Sequence, residues 1–300
     1  MKTKTAFFLF LLMILIWGST WPMNKFCLMY MSPMTYIILR LSAGTLATFV
    51  ILIAKKQFTW PRVKDLPIIV TVGIFQMGLM MTLSNYGLSL IGAGRATFLT
   101  FTTSIWIIPL AIWIYRKTSY LEVLSFCIGI GGVVLLIEPW KISVAAEWMG
   151  NISLIFAAIS WSIGILCARH MKWHRSAIQL LPWQLFVATL VPILFVLIVR
   201  IPLELNHPSL LLMSAFLYTG SLSIGIGYWI MILISKQLPP SVTSLGLIFV
   251  PVVSLVISSL YLKEVVTSDL IFSIILIIGG ILIHIYSERK NKKQKYTEII

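Results

Sequence analysis

Charge is what this chain has least of. Of its 300 residues, 11% are Asp, Glu, Lys or Arg and 59% are hydrophobic, whereas a soluble domain carries roughly 25% charged residues. So few charges cannot cover the water-facing surface of a globule this size, and the natural solvent is a lipid bilayer. Acids are scarcest. All nine, from Asp65 to Glu298, fall in expected loops, tails or span ends, with Glu122 about one turn into its span. Exchange of a proton for a cationic drug needs a carboxylate at mid-membrane, so that chemistry is disfavoured. The three cysteines, Cys27, Cys127 and Cys167, stand far apart with no zinc or redox spacing and read as small packing residues. His170, His174, His207 and His284 are peripheral. The chain has no His-Glu-x-x-His, no P-loop and no paired carboxylates within a span. Ser221-Leu222-Ser223-Ile224-Gly225 lacks the first glycine of a nucleophile elbow. No enzyme, metal site or cofactor is expected.

What the chain does have is apolar stretches of about 20 residues, the length that crosses a bilayer as a helix. They lie at about 5–23, 33–54, 66–86, 94–115, 119–138, 148–169, 177–199, 209–234, 240–262 and 268–286. All are too long and too uniformly apolar for barrel strands. The first follows Lys2 and Lys4 like a signal peptide, but Trp17-Gly18-Ser19-Thr20-Trp21-Pro22 offers no cleavage site and nine spans follow, so it reads as span one. The net charge of +14 sits in alternate gaps between spans, as topology signals do, and not on a nucleic-acid-binding face. Gaps on the N-terminal side hold 17 Lys and Arg against 5 opposite. The positive-inside rule puts both termini in the cytoplasm of a multi-pass cell (inner) membrane protein, and an even number of spans requires both termini on one side.

Matching residues recur about half a chain apart. Trp17 pairs with Trp161 and Arg40 with Gln184 at offset 144; Gly73 pairs with Gly220 and Gly78 with Gly225 at 147; Gly131-Gly132 pairs with Gly279-Gly280 at 148. Five spans per unit is odd, so the second unit enters the membrane from the opposite side, the inverted arrangement of many secondary transporters. The expected fold is therefore an all-α integral membrane protein of ten transmembrane helices in two inverted repeats of five. One unit covers 1–142, the other 143–288, and a basic cytoplasmic tail covers 289–300.

Several short motifs sit on this frame. Span one ends in Trp17-Gly18-Ser19 and span four opens Ala93-Gly94-Arg95-Ala96. Span seven has Trp183-Gln184-Leu185, and span nine reads Pro251-Val252-Val253 and then Tyr261-Leu262-Lys263-Glu264. With these the chain resembles the EamA-type branch of the drug/metabolite transporter superfamily across both halves. It departs from that pattern where Ser104 and Lys117 stand in place of a second Pro and Glu. The resemblance implies secondary transport of small molecules, often export of amino acids or related metabolites. It also implies a central cavity lined mainly by spans one, three, four, six, eight and nine.

The candidate substrate-binding residues lie on those spans: Trp17, Ser19, Gln76, Thr97, Thr100, Ser104, Trp161, Tyr218, Ser221, Tyr228, Trp229 and Ser244. Thr97, Thr100 and Ser104 share one helical face. Their hydroxyls can line a solute path or bond back to their own helix. Trp21 and Trp60 read as interfacial anchors. Arg40, about seven residues into span two, is the sharpest feature, because a mid-membrane charge costs about 2.5–3.5 kcal/mol on insertion scales. Either it attracts an anionic group of the substrate or it bonds to backbone carbonyls and orients its helix. Gln184 is its counterpart. The expected function is movement of a neutral, zwitterionic or anionic metabolite by alternating access, in efflux or exchange. Uptake and a non-transporting membrane scaffold remain the alternatives. The expected partners are a small-molecule substrate and the bilayer, with no nucleic acid; the sequence leaves the oligomeric state open, a monomer included.

Overall fold

A computed structural model describes residues 3–115, 119–206, 209–235, 237–238 and 240–297. Among them are nine helical segments long and apolar enough to cross a membrane, and a shorter apolar helix, Leu245–Tyr261, in the place of the expected ninth span. Spans one and two are the helices Thr3–Cys27 and Pro33–Ala54. Span three is Val63–Leu90, five is Tyr120–Ile137, six is Ala145–His170, seven is Ala177–Val199 and eight is Leu210–Ser235. Spans four and nine are each broken, four into Ala93–Phe101 and Thr103–Tyr115, nine into Pro240–Leu247 and Phe249–Tyr261. Span ten is the helix Ser268–Thr297, so the basic segment from 289 extends the last helix as far as Thr297.

The burial pattern is the reverse of a soluble protein's. Ile198 and Leu210 are 79% and 88% exposed, while Thr97, Thr100, Ser125, Ser162, Thr219 and Ser254 are fully buried. Lipid tolerates the outward aliphatics, and the inward hydroxyls find partners inside the bundle. Many bond back to their own helix, as Thr45 does to Leu41 O at 2.8 Å and Thr189 to Leu185 O at 2.8 Å.

Helices in lipid gain little by burying apolar surface against one another, so close contacts fall to small residues. A Cβ on Gly73 would stand 2.8 Å from the Gln184 carbonyl oxygen, and one on Gly220 would stand 3.0 Å from that of Arg40. Span three thus crosses span seven by the same kind of backbone contact that span eight makes with span two. Both crossings lie in π-helical stretches, Val72–Leu79 and Tyr218–Ile226, a form frequent at functional sites. Spans five and ten repeat the reciprocity: Gly132 abuts the Ser273 carbonyl and Gly280 abuts the Ser125 carbonyl.

One end of the bundle is tied by charge. Glu264, just past span nine, accepts hydrogen bonds from the amides of Ala93 and Gly94 (2.9 Å for the latter) at the start of span four. Negative charge is favoured at a helix N-terminus. Lys25 donates to the carbonyls of Leu88, Ser89 and Ile91 where span three ends, the matching arrangement at a C-terminus. The connection at Ile91 and Gly92 is thereby held from both sides. Nearby, Glu138 takes bonds from Arg95 at 2.8 Å and Lys141 at 2.7 Å, and Lys141 reaches Asp269 at 2.7 Å. Donating hydrogen bonds to Asp269 and Glu138 raises the Lys141 pKa.

The two glycine pairs give a direct test. Gly132→Ala and Gly280→Ala press a methyl onto backbone and are expected to destabilise by about 1–3 kcal/mol. A Cβ on Gly131 or Gly279 meets nothing within 4 Å, so Gly131→Ala and Gly279→Ala are expected to be neutral or slightly stabilising through helix propensity. Thermal unfolding of the four variants in detergent checks this.

Candidate functional site

The polar interior begins where span eight crosses spans one and two. Because Gly220 lets span eight approach span two, the Thr219 carbonyl reaches Arg40, whose Nε donates to it at 3.2 Å. The Tyr36 hydroxyl lies 2.6 Å from Asn24 Oδ1 and 2.8 Å from Thr219 Oγ1. Thr20 donates to the Ser223 hydroxyl at 2.8 Å, and Trp17 Nε1 donates to the Ser223 carbonyl at 3.1 Å. The Trp17 indole lies against Gly227, where no side chain intervenes, with its ring 5.4 Å from that of Tyr228. This network holds one wall of an internal cavity of about 540 Å3, open space at its mouth included.

Spans one, two, three, four, six and eight line that cavity. Of the residues expected from sequence, it brings together Trp17, Arg40, Thr100, Trp161 and Tyr228. Span two, which the family resemblance leaves out of the cavity, contributes Arg40. Trp21, read as an interfacial anchor, stands on the same wall, whereas Trp60 is 71% exposed and packs with Trp183 at 5.3 Å between ring centroids. Asn24, a polar residue that the sequence offers on span one beside Trp17 and Ser19, faces the cavity too, and so do Ser84, Phe101 and Ser223, which the sequence did not single out as site residues. Their signal is the one that raised Thr97 and Ser221: a polar or aromatic residue in an apolar helix.

The other expected residues lie elsewhere. Ser104 lines a second cavity, of about 1,010 Å3 with open space at its mouth included, together with Arg169, Pro251 and His284. Thr97 is buried and pairs with Ser254 at 2.7 Å between hydroxyl oxygens. Ser19 and Tyr218 pair with each other at 2.6 Å, and Ser221, one helical step away, is half-buried. Gln76 packs on Gly164 of span six. Trp229 lies in an apolar cluster with Leu52 and Ile178, and Lys55 Nζ stands 5.7 Å from its ring centroid. Gln184 is buried, and its Nε2 has no hydrogen-bond partner among the described residues. The side chain of Ser244 lies outside the described residues.

Phe101 and Trp161 belong to both cavities and meet edge to face, with ring centroids 5.6 Å apart. Phe101 is the last residue before the break in span four. The pair therefore stands between the inner cavity and the space leading toward Arg169 and His284.

The profile of the EamA-like transporter family matches residues 4–138 and again 148–286. The chain belongs to the EamA-like transporter family. It is 24% identical over 283 residues to an uncharacterized transporter, YoaV, of Bacillus subtilis (strain 168), covering 93% of this chain and 96% of that one. An uncharacterized transporter of Archaeoglobus fulgidus is 26% identical over 275 residues, 91% of this chain and 95% of the relative. A solved crystal structure superposes with a TM-score of 0.62 over 96% of this chain and 98% of that one, at 15% identity. That likeness concerns the fold alone.

The Phe101–Trp161 pair predicts a change in access. An aromatic pair contributes about 0.5–1.5 kcal/mol beyond its area, and 1.4 kcal/mol is a factor of ten. Trp161→Ala is therefore expected to speed labelling of Thr100→Cys by a membrane-impermeant thiol reagent by about twofold to tenfold. The background should lack Cys127 and Cys167, which are exposed and half-buried, while Cys27 is buried.

Proposed function

We propose that this protein is a secondary transporter that moves a small neutral, zwitterionic or anionic metabolite across the cell membrane by alternating access, in efflux or exchange. The observation that carries this reading is the inner cavity. It lies within the bundle, combines five aromatic side chains with fixed polar groups, and has no carboxylate in its lining. Pockets for organic solutes combine apolar and aromatic walls with a few fixed polar groups in this way. Without a lining carboxylate, the site has no group on which a proton could replace a bound cation.

Motion is proposed to follow from two inverted units, 1–142 and 143–288. Their support is the reciprocity of the glycine contacts, the matching π-helical stretches in spans three and eight, and the matching breaks at Thr102 and Ile248. Broken helices around a central site and rocking of one repeat against the other belong together in transporters. In this reading the charged ties of Lys25 and Glu264 hold one end shut. The aromatic pair Phe101–Trp161 separates the cavity from the other end. The excess of basic residues around the termini puts that other end in the cytoplasm.

Purified protein in proteoliposomes is expected to show saturable counterflow of an amino acid or organic anion. Flux should change little when a pH gradient is imposed without substrate on the far side. Strong electrogenic exchange of cations for protons would overturn the proposal. Saturable flux in either direction would separate a transporter from a membrane scaffold.

A further inference from the structure

The geometry points to Arg40 as the anchor for a carboxylate, and to the substrate as a small organic monoanion with a flat or apolar body. This rests on the transport reading above and narrows its substrate class. Arg40 is 7% exposed and lines the inner cavity. Its guanidinium uses one donor, Nε, on the Thr219 carbonyl, and neither terminal nitrogen has a hydrogen-bond partner among the described residues. No ion pair reaches it among those residues either. A largely buried charge with no counter-charge is costly, and the fork left open is the shape that takes a carboxylate by two parallel bonds.

The rest of the lining points the same way. Asn24 Oδ1 is engaged by Tyr36, and the hydroxyls of Ser84 and Thr100 give their protons to the Met81 and Ala96 carbonyls. Among the described residues, the lining donors left without an acceptor are the Asn24 amide nitrogen, the indole N–H groups of Trp21 and Trp161, and the hydroxyls of Tyr228 and Ser223, the last of which only accepts from Thr20. A cavity with spare donors, one fixed positive charge and no carboxylate is an anion receptor. One guanidinium matches one negative charge, which favours a carboxylate over a doubly charged phosphate ester. The rings of Trp17, Phe101, Trp161 and Tyr228 offer the remaining surface to the apolar body of the ligand.

The test compares acids with their uncharged amides on the full chain in lipid nanodiscs, by quenching of tryptophan fluorescence. The probes are benzoate and benzamide, and phenylacetate and phenylacetamide. At least one acid is expected to bind tenfold or more tightly than its amide. Arg40→Gln is expected to abolish that preference while leaving amide binding within about twofold, and Arg40→Lys to restore part of it. The wild-type comparison stands even if Arg40→Gln does not fold. If no acid exceeds its amide by more than twofold, absence of binding included, the assignment is overturned. If the preference survives in a folded Arg40→Gln protein, it is overturned too. Acid-selective binding without counterflow of the bound acid would support Arg40 and strike the transport reading instead.

Discussion

The contact on which the interior depends is the crossing of spans two and eight at Gly220. In water two such helices would be pressed together by their apolar faces, but in a bilayer that drive is absent and the distance of approach is set by side-chain size. Glycine at 220 allows the backbones to touch at Arg40, and Gly44 and Gly225 extend the contact one turn further on. Only at this separation can the Thr219 carbonyl bond to Arg40 Nε, and Tyr36 reach Thr219 from the preceding turn of span two. The π-helical stretch Tyr218–Ile226 supplies what the crossing uses. Within it the carbonyl oxygens of Thr219 and Ser223 accept side-chain donors from spans two and one.

The cavity is a consequence of those bonds. Trp17 is turned by its bond to Ser223 and by the bare surface of Gly227, and its ring sets the position of Tyr228. Thr20 and Asn24 follow on the same face of span one and are held by Ser223 and Tyr36. Hydrogen bonds in a low-dielectric interior are strong and costly to leave unmade, so this wall is rigid. The opposite wall is made of Met80, Met81, Phe101 and Trp161, thioethers and rings that adapt by rotation. A fixed polar wall facing an adaptable apolar one suits a site that must release what it binds.

Much of this fold was legible in the sequence because length and hydropathy define spans almost without reference to tertiary structure. The glycine pairs were legible too, since a glycine in an apolar helix marks close approach. The rotational setting of each helix was not. In a soluble helix the apolar stripe identifies the buried face, but here lipid-facing and protein-facing residues are equally apolar, and the period carries no such information. Trp21 illustrates the loss: an aromatic near a span end reads equally well as an interfacial anchor or a cavity wall, and only the bonds around Asn24 and Ser223 decide. Thr97 illustrates the converse. It lies three residues before Thr100 on the same face, yet its hydroxyl faces Ser254 in span nine, and only Thr100 reaches the inner cavity.

The two matching positions at offset 144 show how a repeated scaffold carries unequal chemistry. Arg40 and Gln184 each present a carbonyl to a glycine of a partner helix, Gly220 and Gly73. That role belongs to the backbone and is indifferent to the side chain. The side chains are free to diverge because the packing does not consult them. Gln184 is buried with an amide nitrogen unpartnered among the described residues, a modest cost for a neutral group, and it lines neither the inner cavity nor the one beside it. At Arg40 the same place holds a full charge, and the cost of keeping it there is several times larger. Beyond the backbone contact, Arg40 spends Nε on the Thr219 carbonyl of span eight and lines the inner cavity with the same side chain. In the proposed reading, the cost of that charge is met by a ligand of opposite sign, while Gln184 has no such part to play.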